Sequence, residues 1–336
     1  MLNQIYATQV NAFLSCSKRK NLEENNSFNR ISLIETNKAA DIGSMYHYVL
    51  ENVIDNSEVN NDLIREFITK FITTNDISLD TSFLNTIEGR NAVFNIKNIF
   101  SIVKDIDQIE TYELETEKLI IGKNIIGKID LLLTKAQSTI IIDYKTGSIL
   151  INDDKTINSN ITSQFLAYHS LVTDEANHNQ IDCYVISKNG EKVFIPVDSK
   201  EVKKLNEDLF EAIQKYNQKN YIFGDADTCS NCDLAAFCDN FTEKTFENYS
   251  DIRLIRGIIT KKIDESNCWI LEVEGKDNAL FGKKITIYVN NKNFFEQLKK
   301  LNINEMVTFK NIRFFNETDD KIFFKLGDFG KITIKT

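Results

Sequence analysis

The chain lacks several things, and each absence closes off a class. One proline in 336 residues leaves no basis for a Pro-rich linker or a collagen-like repeat. No run of about 18 uncharged apolar residues occurs, so a membrane-spanning helix is not expected. Met1 to Lys20 has no basic segment followed by an apolar core, so no signal peptide is expected either, and the chain reads as a cytoplasmic protein without a membrane partner. An overall basic excess is also missing: 40 Lys and Arg face 49 Asp and Glu, a net charge of −9. What is present is ordinary for a globular protein. Hydrophobic residues make up 42% and charged residues 26%, which excludes wholesale disorder, and the length predicts two domains. The charge is uneven. From Ser250 onward 16 basic residues face 12 acidic ones, a net of +4, leaving −13 for residues 1–249. That division is compatible with an acidic catalytic part joined to a mildly basic binding module.

The apolar spacing sets out the organisation. Thr8 can cap a helix in which Val10, Phe13 and Leu14 share a face, with Cys16 at its end. A second helix is expected from about Asp41 through Met45, Val49 and Val53, and a helical insertion covers about 55–110. Strand signals follow at Glu113–Glu115, Ile125–Leu133 and Ile140–Tyr144, the last two joined by a turn at Lys135–Ser138. After a polar stretch, Asn152 to Ser159, come a helix at Thr162–Val172, a hairpin around Asn189-Gly190 and a helix at Lys200–Tyr216. This order predicts an α/β core, a short mixed sheet flanked by helices. Beyond Asp251 the pattern is three strands, a short helix from Asn293 to Leu301 and two strands, the order of a small OB-like β-barrel. The expected domains are therefore 1–249 and 250–336.

Two adjacent apolar strands each carry one carboxylate where the apolar run is broken or ends: Asp130 in Gly127-Lys128-Ile129-Asp130 and Asp143 in Asp143-Tyr144-Lys145-Thr146-Gly147. Buried carboxylates are costly unless they bind or pair with a cation. Two that converge suit a hard ion, Mg2+ or Mn2+. Lys145, two residues beyond Asp143, faces the same way and can orient a water or meet charge on a phosphate. Upstream, Gly43-Ser44-Met45-Tyr46-His47 places a histidine inside a helix; downstream, Gln164 and Tyr168 stand at i and i+4 on one helix face.

His47, Gly-x-x-Asp at Asp130, Asp-x-Lys at Asp143 and Lys145, and Gln-x-x-x-Tyr at Gln164 and Tyr168 stand in the order found in PD-(D/E)XK nucleases, and the set most resembles their RecB-like exonuclease branch. The resemblance spans about residues 43–168. It implies a restriction-endonuclease-like core in which Asp130, Asp143, His47 and the carbonyl of Tyr144 hold the metal. Lys145 would be the catalytic lysine, and Gln164 and Tyr168 would contact substrate or order the site. The family's first acidic residue, upstream of the Gly-x-x-Asp, falls on Glu113 or Glu115.

Cys229, Cys232 and Cys238 form a Cys-x2-Cys-x5-Cys cluster. Three thiolates need a fourth ligand to close a zinc site or a 4Fe–4S cluster, and Cys16 is the candidate. One early and three late cysteines resemble the iron–sulfur subset of RecB-like nucleases, although Ser17 stands where many of those have proline. Zinc and free thiols are the other readings. Cys183 and Cys268 read as small core residues. Together these features predict a metal-dependent DNA exonuclease acting on single strands or DNA ends in repair, recombination or mobile-element and CRISPR-type processing, with an endonuclease as the variant reading. Arg253, Arg256, Lys310 and Arg313 are the expected nucleic-acid contacts, with Phe314 and Phe315 for stacking. A helicase or other protein partner fits such a domain. The rival reading is a catalytically idle or zinc-stapled DNA-binding subunit of a larger complex.

Overall fold

The computed structural model describes residues 2–32, 36–77, 79–136, 138–146, 157–175, 180–243, 246, 248–265, 268–276, 280, 283–290 and 295–335. Gln137, Gly147, most of the polar stretch 152–159 and the first residues of the helix expected from Asn293 lie outside them. The helices are α1 (Val10–Ser15), α2 (Ser17–Asn25), α3 (Thr36–Val53), α4 (Asn61–Thr74), α5 (Ile87–Lys104), α6 (Ser159–Glu175), α7 (Ser199–Asn217), α8 (Ala226–Ser230) and α9 (Phe295–Leu298). The strands are β1 (Ile5–Tyr6), β2 (Phe28–Ser32), β3 (Glu113–Ile121), β4 (Ile125–Lys135), β5 (Ser138–Lys145), β6 (Gln180–Ser187), β7 (Lys192–Phe194), β8 (Leu254–Glu265), β9 (Cys268–Gly275), β10 (Lys284–Val289), β11 (Met306–Glu317) and β12 (Lys321–Lys335). Among the described residues no helix is long and apolar enough to cross a membrane. The chain divides into two units, residues 1–14 with 37–220, and residues 15–36 with 221–336.

The first unit is α/β. Its sheet runs β1-β4-β5-β6-β7, with β3 also on β4. The β3–β4–β5 meander is antiparallel, while β5 and β6 are parallel, as a helical crossover through α6 requires. Along β5 both faces are covered: Ile140 and Ile142 join a core with α3, α4 and α5, while Ile141 and Asp143 alternate to the opposite side. The insertion is helical as its spacing predicts. Asn60, Thr86 and Asp198 cap α4, α5 and α7 by accepting backbone N–H bonds from Leu63, Gly89 and Lys200.

In the second unit β8, β9 and β10 are successive antiparallel neighbours. β10 pairs in parallel with β12, β12 with β11, and β11 with β8, which closes a five-stranded barrel compatible with an OB-like domain. β2 pairs with β12 outside that ring. The barrel is filled by alternate residues such as Ile285 and Ile287 of β10 and Ile322 and Phe324 of β12.

Candidate active site

Helix α3 turns one face, Met45, Val49 and Val53, into the core. A different face, with Gly43, His47 and Glu51, lines a cleft of about 430 Å³ shared with Glu117, Lys128 and Asp130. The β4–β5 ladder stops at Leu131 and Ile142. Past that point Asp130 does the work of the missing rung: its Oδ2 accepts the backbone N–H of Tyr144 at 2.7 Å. Its Oδ1 lies 3.2 Å from His47 Nδ1, which is also 3.5 Å from Glu117 Oε1.

Glu117 corrects the expectation of Glu113 or Glu115. Glu115 is spent on an ion pair with Lys118 at 2.7 Å, and Glu113 is exposed at the start of β3. Glu117 faces Asp130 across β3–β4 and has φ of 52°, a left-handed conformation that is strained for a side-chain-bearing residue. Oxygens of Glu117 and Asp130 and a ring nitrogen of His47 lie within 4.8 Å of one another. Two carboxylates and one imidazole are a hard donor set that fits Mg2+ or Mn2+.

The charges in this cluster lean on one another. Burial alone would push the His47 imidazole down, but its hydrogen bonds to Asp130 and Glu117 outweigh burial and raise it to about 10. Burial would raise Glu117, yet His47 and Lys128 hold it below the usual carboxylate range. Lys128, paired with Glu117, is raised. Two carboxylates and an imidazole gathered here therefore favour positive charge between them.

Asp143 is 2% exposed. Burial raises its carboxyl, and the Asp130 charge raises it further, against the pull of Lys145. Its Oδ1 accepts from Gln164 Nε2 at 2.8 Å. Its Oδ2 lies 2.6 Å from Lys145 Nζ as an ion pair but receives no aligned hydrogen bond, so this buried oxygen keeps a lone pair for another partner. The Gln164 amide is fully used. Its second N–H goes to Tyr168 Oη at 2.8 Å, and its Oε1 accepts from Lys145 at 3.1 Å. Tyr168 in turn donates to the Lys128 carbonyl at 2.8 Å. Gly127 permits this closeness: a Cβ there would stand 2.6 Å from Leu171 and 3.1 Å from the Tyr168 ring. His47, Glu117 and Asp130 thus form one group and Asp143, Lys145, Gln164 and Tyr168 a second, and the two meet through the backbone at Tyr144 and Lys128. Tyr144 contributes its backbone N–H, with its ring buried.

All four cysteines of the predicted ligand set lie in the second unit. Cys16 is the residue that precedes α2, and Cys229 is buried in α8. Burial pushes the Cys232 thiol up to about 11, and Cys16 adds to the effect; Cys238 is raised by burial and by Cys16 and Cys229. Asp233, next to Cys232, is clamped by Arg30 at 2.8 Å, Lys331 at 3.1 Å and Arg19 at 3.2 Å. No local pattern announces this clasp, because its cations come from α2, β2 and β12, far along the chain from Asp233.

The four basic residues expected to meet nucleic acid separate. Arg256 lies over the Phe241 ring at 3.8 Å and reaches the Ala235 carbonyl, while Lys310 donates to the Asn231 carbonyl at 2.7 Å. Arg253 caps the carbonyls of Ser250 and Ile252. Arg253 and Arg313 line one cavity with Phe314.

No curated protein matches the chain. Similar solved structures include the crystal structure of the tetrameric p202 HIN2, 12% identical over 24% of this chain and 38% of that one, with a TM-score of 0.18. Another is a murine DNA-binding protein bound to double-stranded DNA, 9% identical over 67% of this chain and 97% of that one, with a TM-score of 0.21. Both likenesses are too slight to bear on fold or function. The family model of the PD-(D/E)XK nuclease superfamily, whose members are metal-dependent nucleases, matches residues 5–239, and the chain belongs to that superfamily.

Proposed function

We propose that the chain is a divalent-metal-dependent deoxyribonuclease of the RecB-like branch, an exonuclease acting on single-stranded DNA or on DNA ends. The observation that carries this reading is the convergence of His47, Glu117 and Asp130 beside the Asp143–Lys145 pair. His47, Glu117, Asp130, Asp143 and the carbonyl of Tyr144 would hold Mg2+ or Mn2+. When bound, such an ion lowers the pKa of a coordinated water and neutralises charge on the attacked phosphate. Lys145, held against Asp143, would orient the attacking water or a phosphate oxygen. Gln164 fixes that amine: it accepts from Lys145 while donating to Asp143, a pairing a glutamate could not make. Tyr168 anchors Gln164 to the backbone of β4.

The domain reading is a nuclease domain over 1–249 and an OB-like barrel over 250–336. Cys16, Cys229, Cys232 and Cys238 would carry a structural 4Fe–4S cluster. The Cys-x2-Cys-x5-Cys spacing, with Cys16 in the same unit, is what supports a common ligand set. Anaerobic purification should give absorbance near 400 nm and bound iron. A colourless protein with bound zinc would overturn the cluster. The nuclease reading is tested with end-labelled linear and circular single-stranded DNA plus Mg2+ or Mn2+. Shortening of linear strands with circles intact is expected. Cut circles would make the enzyme an endonuclease, and no cleavage of any DNA would make it an idle subunit.

A further inference from the structure

The barrel carries a face that its own folding does not use. Along β12, Ile322, Phe324 and Leu326 point into the core, so Phe323 and Lys325 point out; along β10, Ile285, Ile287 and Val289 are inside and Tyr288 is out. On β11 Arg313 is exposed, and a bulge after Phe314 leaves Phe315 as an extra residue, 68% exposed. These outward rings meet. Tyr288 stacks on Phe323 with centroids 6.2 Å apart and planes at 21°, and Phe315 stands edge-on to Tyr288 at 6.1 Å. Arg313, Lys325 and Tyr288 form one cross-strand row. Arg313 directly opposite Lys325 is a like-charge pair, which destabilises a sheet unless an anion intervenes. Neither cation makes a hydrogen bond or ion pair with any described residue. Of the acids around them, Glu317 is paired with Lys283 and Glu272 with Lys321. The acidic turn at Asp319 and Asp320 precedes β12, so Lys325 lies about 17 Å along the strand from Asp320.

We propose that this outer face of β10, β12 and β11 is a platform for single-stranded nucleic acid, with bases stacking on Tyr288, Phe315 and Phe323 and phosphates meeting Arg313 and Lys325. Stacked rings beside cations that no described residue pairs match that ligand because every base offers a π-face and every linkage a negative charge. Duplex DNA does not fit, since its bases are already stacked on each other. The inference rests on the nucleic-acid reading above, but it concerns a different unit from the cleavage site.

The test uses full-length protein carrying Asp130→Asn, in metal-free buffer, with a fluorescent oligothymidylate and a labelled duplex. Phe315→Ala and Tyr288→Ala should each weaken single-strand binding by about 5- to 100-fold without changing the salt dependence. Arg313→Gln should reduce the slope of log affinity against log salt by about 0.7. Thermal melts check that the variants remain folded. Unchanged single-strand affinity in the ring variants, equal affinity for duplex, or no single-strand binding would overturn the platform. So would a Phe315→Ala effect on oligomeric state alone, which would make the face a contact between copies of the chain. The two readings fail separately. An intact chain that cleaves DNA with its ring variants unimpaired in binding loses only the platform. A chain that binds through the rings yet cleaves nothing with Mg2+ or Mn2+ loses only the nuclease.

Discussion

Replacing Lys145 with methionine removes a charge while keeping most of the side chain's bulk. Asp143, 2% exposed, loses the amine 2.6 Å from its Oδ2 and keeps only the Gln164 bond. An unpaired buried carboxylate costs about 3–5 kcal/mol when it must stay ionised. It escapes that cost by taking a proton, so the effect depends on pH. The folded carboxyl is raised above its unfolded value of about 3.9. A raised acid binds more protons folded than unfolded, so its stability contribution is full below the unfolded pKa and is lost as pH rises through the folded pKa. For the parent chain without metal that loss falls between about 4 and about 6. Without Lys145 the folded pKa climbs further and the loss extends upward. The gap between parent and Lys145→Met should therefore be small at pH 4.5 and reach about 3 kcal/mol at pH 8. Urea unfolding in EDTA, followed by circular dichroism, reads this gap; fluorescence of Trp269, which lies in the barrel, is the internal control. Single-turnover cleavage should fall by at least about 100-fold, while Lys145→Arg should keep most of the stability. A pH-independent gap would refute the coupling of Lys145 to a raised Asp143, and wild-type cleavage by Lys145→Met would refute its catalytic role.

Tyr168→Phe strands the Lys128 carbonyl and one Gln164 N–H, both in part-buried or buried surroundings, and should cost about 1–3 kcal/mol by the same unfolding assay. Asp233→Asn should destabilise the barrel unit, read from Trp269 fluorescence, by about 3 kcal/mol, because Arg19, Arg30 and Lys331 are left facing one another. Its carboxyl is held at about 2, since Arg19, Arg30 and Lys331 overcome burial, so this contribution is present above the unfolded pKa of about 3.9 and is lost as pH falls through about 2. A parent chain and Asp233→Asn of equal stability at pH 7 would contradict it. Because His47 is raised to about 10 and must be neutral to ligate, metal binding at pH 7.5 should release about one proton, measurable by calorimetry in buffers of different ionisation enthalpy.

The parts of the fold that were legible in the sequence are those set by local pattern. Asp130 and Asp143 lie on neighbouring strands joined by a short turn, so their approach follows from alternation and adjacency. His47, Gln164 and Tyr168 sit on well-marked amphipathic helices. Glu117 was not legible, because the strand signal faded at Glu115 and Glu117 enters the cleft only through a left-handed backbone at that residue. β1 and β2 were missed for a related reason: two- and five-residue strands have little alternation of their own and exist through their partners β4 and β12. On β11 the bulge interrupts the alternation. Phe314 is turned toward the barrel interior, against Phe324, and Phe315 outward. An unbroken strand pattern cannot separate the two. Charge alone points Arg256 and Lys310 toward DNA, and charge says nothing of the carbonyls of Ala235 and Asn231 that they reach.

His47, Glu117 and Asp130 could hold one divalent ion between them. Titration of Mn2+ into the chain, with free ion read by electron paramagnetic resonance, tests this most directly. One tightly held ion per chain is expected, weakened at least tenfold by Glu117→Gln or Asp130→Asn and untouched by Glu115→Gln. Retention of the ion by Glu117→Gln together with its loss in Glu115→Gln would contradict this ligand set.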